Sequence, residues 1–484
     1  MNYKTISRNV GYALLVSALF MLLSMFVSIG SGNDSALAAL SISFMITFIV
    51  GIFPFIFVRK TANITLKEGY VIIVLSWVLS FIFGMLPYAL WGGPFNVANA
   101  WFESVSGFTT SGATILDNIE GLPDSLLFWR SSTHFIGGLG VVVFLLLIIP
   151  DSSPIRLRLT NMELSSLSKD AYNVRANKTV FVFAYVYLGI AVVAFFSYWA
   201  AGMSAFDAIN HAFSVCATGG FSTKGLSIAA FDSRLIEGLT MLFMFVASLH
   251  FGLVFLSFAN RSLRPLNNPV IKFYLSVLVI SIVALSFSLK FNGSEATWGS
   301  AVWSSMFHIL STSSTTGFAI ADNSSWSLNS SIIIMAVGVM CACAGSTTGA
   351  IKADRVLVLF KAIGRQVSQI LHPSAVNEVR MGRRIIRESE VNNQLLYIAL
   401  YCLALLLSVI LSLAFGVDNA NSFAASVASM GNLGPALGDL GTMGSYNSVP
   451  TAAKLLYTFD MFLGRVEIYP VLAVVAMVFS RDRK

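Results

Sequence analysis

Apolar windows long enough to cross a membrane recur along this chain, near 10–30, 36–58, 69–91, 126–150, 179–201, 236–259, 270–291, 328–351, 394–416 and 452–480. A helix needs about 20 apolar residues to span the hydrocarbon of a bilayer. Between several windows lies a second pattern, a shorter amphipathic stretch that runs into a polar loop. These stretches are Ala98–Ser106, Ser204–Val215, Trp298–Ser311 and Ser422–Ser429. In the third, Trp303, Met306, Phe307 and Leu310 fall at helical spacing. About fourteen residues at 1.5 Å each cover only part of a bilayer. The pattern predicts full spans alternating with half-helices.

Each half-helix leads to a loop with glycine: Phe108-Thr-Thr-Ser-Gly112, Ala217-Thr-Gly-Gly-Phe221, Ser314-Thr-Thr-Gly-Phe318 and Gly431-Asn-Leu-Gly-Pro435. The glycines to equate are Gly112, Gly220, Gly317 and Gly434, which recur about every hundred residues and mark an internal repeat. Irregular polar backbone at membrane depth is tolerated only where it is buried in protein or lines water. Four such loops suggest four arcs of one ring. The fold expected is an all-α polytopic membrane protein with four parallel helix–pore-helix–filter–helix repeats around a pseudo-fourfold pore. Residues 1–60 add an N-terminal helix pair, and the repeats occupy 61–160, 161–262, 263–390 and 391–484.

Composition agrees. The 484 residues are 56% hydrophobic and 11% charged, with a mean hydropathy of +0.78, against about 25% charged in soluble domains. The net charge of +7 does not point to nucleic acid. Segments 1–9, 59–67, 156–178, 261–272, 352–387 and 481–484 hold 24 of the 30 basic residues. That bias sets orientation by the positive-inside rule, with both termini cytoplasmic. It also requires each glycine loop to dip in from outside and return there. The first apolar run exceeds the about 7–15 residues of a signal-peptide core, so it reads as a retained span. Cys216, Cys341, Cys343 and Cys402 all sit in apolar context and read as buried free thiols.

The direction of the half-helices supplies the chemistry. Each ends at a polar loop, so its negative dipole end faces the membrane centre and favours a cation there. Backbone carbonyls of the loops replace the ion's water. Glycine permits φ > 0, which turns carbonyls to the axis without a Cβ clash. Thr109, Thr110, Thr218, Thr315 and Thr316 add hydroxyls. No carboxylate lies within the loops, which favours a monovalent cation. Gly137-Gly138-Leu-Gly140 falls within a span and reads as helix packing rather than a phosphate loop.

Two further segments stand out. Gly338–Ala350 interrupts the eighth span with three glycines and three hydroxyl residues, either as a kinked packing helix or as backbone lining a cavity. Arg465 lies within the last span, where an arginine costs about 2.5–3.5 kcal/mol on insertion scales and is a functional candidate by default. An ion pair with Glu467 or Asp460 is the alternative. Glu103 and Asp207 either draw cations to the mouth or cap half-helices. His134 and His211 read as hydrogen-bonded packing residues.

The chain resembles the TrkH/TrkG/KtrB potassium-uptake proteins, and within them the TrkH branch. The residues that carry the resemblance are Phe102-Glu103 leading into Gly107-Phe-Thr-Thr-Ser-Gly-Ala-Thr114, Gly219-Gly-Phe-Ser-Thr223, Thr315-Thr-Gly-Phe318 and Asn432-Leu-Gly-Pro-Ala-Leu-Gly438. The resemblance implies potassium transport through a selectivity filter of Thr110, Ser111, Gly112, Thr218, Gly219, Gly220, Thr315, Thr316, Gly317, Asn432, Leu433 and Gly434. It implies an intramembrane gate of Gly345, Ser346, Thr347, Thr348 and Gly349, with Arg465 facing it. Ser111 stands where TrkH proteins usually have threonine. No enzymatic activity and no cofactor are implied, and potassium is the substrate. The implied partners are a cytoplasmic nucleotide-binding subunit like TrkA, docked on the basic segment Lys352–Glu390, and a second copy in a homodimer. The implied location is the bacterial inner membrane. An alternating-access carrier, coupled to sodium or protons, is the alternative reading.

Serine at the first filter position accompanies sodium transport in plant HKT relatives. Gly112→Ser is therefore expected to admit sodium, read as a fall in the potassium-to-sodium permeability ratio. An unchanged ratio would remove Gly112 from the filter.

Overall fold

Short polar side chains start all four half-helices. Asn96, Ser204, Thr297 and Asp418 each accept a hydrogen bond from the backbone N–H three residues on, at 2.8, 3.0, 3.1 and 3.2 Å. Such N-caps satisfy donors that a helix cannot satisfy itself. The half-helices that follow are Val97–Phe108, Ala205–Ala217, Trp298–Ser313 and Asn419–Gly431. They extend the stretches read from sequence by a few residues, because hydropathy does not report caps.

These elements come from a computed structural model that describes residues 1–58, 64–140, 176–374, 377–382, 384–436 and 438–479. The sequence expectations for 141–150, for Arg59, Lys60, Arg156, Arg158, Lys169, Arg175, Arg383, Leu437, Arg481, Arg483 and Lys484, and for the side chains of Lys178 and Cys341 lie outside those residues.

In chain order, α1 (Tyr3–Gly30) and α2 (Leu37–Phe57) form the added N-terminal pair. They cross closely, since a Cβ on Gly11 would fall 2.7 Å from the Gly51 carbonyl oxygen. The first repeat is α3 (Leu66–Gly84) with its short extension α4 (Leu86–Trp91), the half-helix α5 (Val97–Phe108) and α6 (Asp124–Leu139). The second is α7 (Ala176–Ala200), α8 (Ala205–Ala217), α9 (Arg234–Ser248) and α10 (Phe251–Ala259). The third is α11 (Pro269–Phe291), α12 (Trp298–Ser313), α13 (Leu328–Val339) and α14 (Ala353–Leu371). The fourth is α15 (Glu388–Ala414), α16 (Asn419–Gly431), α17 (Thr451–Val466) and α18 (Ile468–Phe479). The repeats run parallel about a pseudo-fourfold axis.

Among the described residues, six of the ten predicted windows are single helices long and apolar enough to cross a membrane. The other four are the second spans of the four repeats. In the second repeat α9 and α10 meet at 104°. In the third, α13 stops at Val339 and α14 resumes at Ala353. In the fourth, Glu467 separates α17 from α18 at φ 68°. In the first, α6 ends at Gly140 with φ 81°. Only the third break was legible, because single polar residues such as His250, Arg465 and Glu467 leave their windows apolar overall. A hydropathy window reports burial from water and carries no information on φ.

Repeats one and four share one apolar cluster with the N-terminal pair, including Trp77, Phe81, Phe108, Trp129 and Tyr457. Repeats two and three share another, including Tyr187, Tyr198, Tyr274 and Phe307. The glycine loops contribute to both: Ala113 and Leu433 to the first, Ala217 and Phe318 to the second.

One ion pair binds the first repeat internally. Arg130 of α6 donates to Glu103 of α5 at 2.8 Å, with both side chains at most 1% exposed. The guanidinium also lies 4.0 Å from the Phe221 ring centroid and donates to the Ser222 carbonyl at 3.3 Å. Removing one partner of a buried pair leaves an uncompensated charge, at about 3–5 kcal/mol. Arg130→Met is expected to lower thermal stability in detergent accordingly, and Arg130→Met with Glu103→Gln should recover part of that loss. Equal melting temperatures for wild type and the single variant would refute this account.

Candidate functional site

The four loops after the half-helices share one backbone conformation despite their different residues. Thr110, Thr218, Thr315 and Asn432 take φ of 54°, 55°, 54° and 52°, and Gly112, Gly220, Gly317 and Gly434 take 82°, 82°, 81° and 81°. Between them sit Ser111, Gly219, Thr316 and Leu433, whose N–H groups reach back five residues to Ser106, Ser214, Ser311 and Ala428 at 2.8–2.9 Å. This is the helix-ending turn in which a left-handed residue closes the last carbonyls. Asparagine suits that residue. Threonine does not, and a β-branched residue at positive φ costs of order 1–3 kcal/mol.

The loops close on one another. A Cβ on Gly112 would fall within 3.0 Å of the Gly219 carbonyl oxygen, and one on Gly220 would meet that of Thr316. One on Gly317 would meet that of Leu433, and one on Gly434 that of Ser111. The order runs from first loop to second, third, fourth and back to the first. No side chain fits at any of the four glycines.

A collar of hydrogen bonds repeats this cycle on the half-helix N-terminal side. Glu120 accepts from the Gly225 N–H at 2.8 Å, and the Ser227 hydroxyl accepts from the Ala319 N–H at 3.2 Å. Thr442 donates through its N–H to Asn323 and through its hydroxyl to the Ala321 carbonyl, both at 3.0 Å. Asn447 and Ser445 donate to Asp117. A cavity of about 70 Å³ lies inside the collar, against Gly112, Gly220, Gly317 and Pro435.

Behind the ring, Ser106 and Ser311 donate to the carbonyls of Ala113 and Phe318, each at 2.6 Å. The equivalent Ser214 instead faces His134 Nδ1 at 3.1 Å, and Ala428 has no hydroxyl. Glu103 neither lines the mouth nor caps a helix. It accepts from the Thr114 hydroxyl at 3.0 Å and the Ile115 N–H at 3.1 Å, fixing the chain as it leaves the first loop. Asp207 does belong to a helix cap, since Ser204 donates to it at 2.7 Å, and it holds Thr223 at 2.6 Å. His211 bridges the Asp207 carbonyl and Ser222, a packing role as read from sequence. Thr110 Oγ1, Ser111 Oγ and Asn432 Oδ1 are buried without a protein hydrogen-bond partner.

Beneath the ring lies the segment between α13 and α14. Its neck is a two-residue parallel bridge, Met340 against Ile351 and Cys341 against Lys352. Its tip touches the left-handed residues of three loops. Thr218 donates to the Thr347 hydroxyl at 3.3 Å, the Gly349 N–H donates to Thr315 Oγ1 at 3.4 Å, and a Cβ on Gly349 would fall 2.7 Å from Asn432 Oδ1. The break of the second repeat supports it, with the Phe251 N–H on the Gly345 carbonyl at 3.0 Å. Arg465 completes the enclosure. It donates to the Thr347 carbonyl at the tip and to the carbonyls of Gly137 and Gly138 at 2.8 and 3.0 Å. The alternative pairings go elsewhere: Glu467 binds Arg355 at 2.8 Å, and Asp460 accepts from Ser408 at 2.5 Å. A second cavity, about 110 Å³, lies against Ser346, Thr347, Thr348, Lys352, Arg465 and Glu467.

Sequence reasoning placed the loop glycines and the segment correctly as polar insertions, and it read Gly137 and Gly138 as packing. A Cβ on either would strike the ends of half-helices, at Phe108 and Ala217. It missed Glu103–Arg130 as an anchor, and the strain at Glu467, whose φ 68° and ψ 155° are essentially glycine-only. It also misread Cys402, which is exposed on α15, whereas Cys216 and Cys343 are buried. An apolar neighbourhood marks a lipid-facing position as readily as a core one.

A family model described as TrkH, cation transport protein, matches residues 37–483. The Trk system potassium uptake protein TrkH of Escherichia coli K12 is 30% identical over 486 residues, covering 100% of both chains. TrkG of the same organism is 30% identical over 488 residues, 99% of each. Among solved structures, the potassium transporter TrkH from Vibrio parahaemolyticus has a TM-score of 0.87 at 28% identity, covering 98% of each chain.

The closed ring makes its glycines irreplaceable in a way that others are not. Gly220→Ala combines positive φ, about 1–2 kcal/mol, with a backbone collision, and is expected to lower the melting temperature. Gly189→Ala, in α7 with nothing within 4 Å, should be neutral or stabilising by about 0.5–1 kcal/mol. Equal effects of the two would contradict the packing of the ring.

Proposed function

The chain belongs to the TrkH family of cation transport proteins, and from that premise we propose that it takes up potassium through the ring of four glycine loops. The observation that carries this reading is the cyclic closure of the loops. Eight positive φ values, two per loop and matched to within 3° from loop to loop, would not be needed for packing alone. They are what a ring of inward carbonyls requires, with Thr110, Ser111, Gly112, Thr218, Gly219, Gly220, Thr315, Thr316, Gly317, Asn432, Leu433 and Gly434 as the filter. Two features support it. The negative ends of four half-helices converge on the ring. Buried oxygens of Thr110, Ser111 and Asn432 lack protein partners, as suits atoms that serve an ion or its water.

Permeation then proceeds from the collar cavity, through the ring, to the segment 345–349. The segment contacts three filter loops at once and acts as the gate, with Arg465 as its clasp. Backbone carbonyls on the Arg465 guanidinium hold a fixed positive charge on the path, which repels a cation until the clasp moves. The basic bias places the collar outside and the termini in the cytoplasm. A TrkA-like nucleotide-binding subunit docks on the basic segment 352–390 and drives the gate, and the protein works as a homodimer in a bacterial inner membrane. Four parallel repeats favour this reading over an alternating-access carrier, whose repeats are commonly inverted.

The test is electrical. In planar bilayers with opposed potassium and sodium gradients, the full chain is expected to reverse near the potassium equilibrium potential. Deleting 342–348 should raise basal flux without moving that potential. Equal permeation by both ions would sink the selectivity reading, and a folded deletion variant with wild-type or lower flux would sink the gate. Saturating, coupled flux without single-channel events would establish the carrier.

A further inference from the structure

The segment beneath the ring is tied twice to one short stretch of the fourth repeat. At its tip, the Thr347 carbonyl receives Arg465. At its neck, the chain enters α14 through Lys352, and Arg355 in the first turn of α14 binds Glu467 at 2.8 Å. Arg465 and Glu467 are two residues apart, the first in the last turn of α17 and the second at the break between α17 and α18. Tip and neck are thus held by the same short stretch, residues 465–467.

Arg355 is built for one position. It is 4% exposed, its guanidinium lies 3.7 Å from the Tyr397 ring centroid, and its Nε donates to Gln394 at 3.1 Å. Tyr397 and Gln394 both belong to α15, so the cation is fixed between α14 and the fourth repeat. Glu467 has the opposite character. Its backbone is strained at φ 68° and ψ 155°, and its carboxylate accepts from Arg355. A strained turn persists only while its surroundings over-determine it. The ion pair supplies that restraint, and the turn in turn aims Arg465.

We propose that the Arg355–Glu467 pair is a latch that positions Arg465 on the segment, and that α14 is the lever that works it. The proposal rests on the segment being the gate. α14 runs 19 residues away from the neck, about 28 Å at 1.5 Å per residue. Displacing its far end pulls Arg355 from Glu467, relaxes the turn at 467 and withdraws Arg465 from Thr347. Neither latch residue touches the ring, so the device changes how often the path opens and leaves its selectivity alone.

The experiment is single-channel recording of the full chain in bilayers, without any partner. Glu467→Gln is expected to raise open probability about tenfold, with unitary conductance and the potassium-to-sodium permeability ratio unchanged. Arg355→Gln should do the same from the other side of the pair, and it carries the test if Glu467→Gln fails to assemble. Because the latch acts through Arg465, Arg465→Ala with Glu467→Gln should be no more open than Arg465→Ala alone. If Arg465→Ala opens the path while both latch variants behave as wild type, the latch is refuted and the gate stands. If the effects of Arg465→Ala and Glu467→Gln multiply, Glu467 does not act through Arg465 and the latch is again refuted. If Arg465→Ala and the 342–348 deletion are both silent, gate and latch fall together.

Discussion

At four points on the axis there is no room for a Cβ atom, because each loop glycine faces a backbone oxygen of the next loop closer than 3.0 Å. Four separate chain reversals must therefore be held in register to within a few tenths of an ångström. No single loop can do this, since each wall of the ring belongs to a neighbour. The collar, the serine clamps at Ala113 and Phe318, and the Glu103–Arg130 pair all serve the same end. They turn four loops distant in sequence into one rigid object.

That rigidity has a cost, visible in the threonines at positive φ. Asparagine at 432 shows that a residue better suited to the conformation is acceptable in one repeat. Threonine in the other three supplies hydroxyls, of which those of Thr218 and Thr315 meet the segment beneath the ring, and the strain is borne by the helix caps and tight packing around it. The repeats are accordingly alike in backbone and unlike in side-chain support. Ser214 turns to His134 where Ser106 and Ser311 clamp a carbonyl.

The second span of each repeat does a different job. A straight helix would carry its side chains past the inner side of the ring. The breaks at 249–250, 340–352 and 467, and the end of α6 at Gly140, instead bring backbone carbonyls and N–H groups to that level. The segment 342–350 sits on those groups, touching loops two, three and four directly and the first repeat through Arg465. Ring and segment therefore share contacts and are built from neighbouring backbone.

The repeat, the half-helices, the four glycines and the polar interruption before Ala353 were all legible in the chain. Each is a local departure from membrane composition, and hydropathy and glycine placement record local departures faithfully. The cyclic order of the loops was not legible, nor were the breaks at His250 and Glu467 or the exposure of Cys402. Glu103 read as a capping or mouth residue until Arg130, Thr114 and Ile115 were seen around it. Arg465 read as a charge in need of a partner, and only the fold showed that its partners are carbonyls from two other repeats. Sequence alone determined which segments cross the membrane and where polar backbone enters it, because the bilayer tests each segment separately. Tertiary structure decided which backbone oxygen faces which, because that depends on torsions and on contacts between residues about a hundred positions apart.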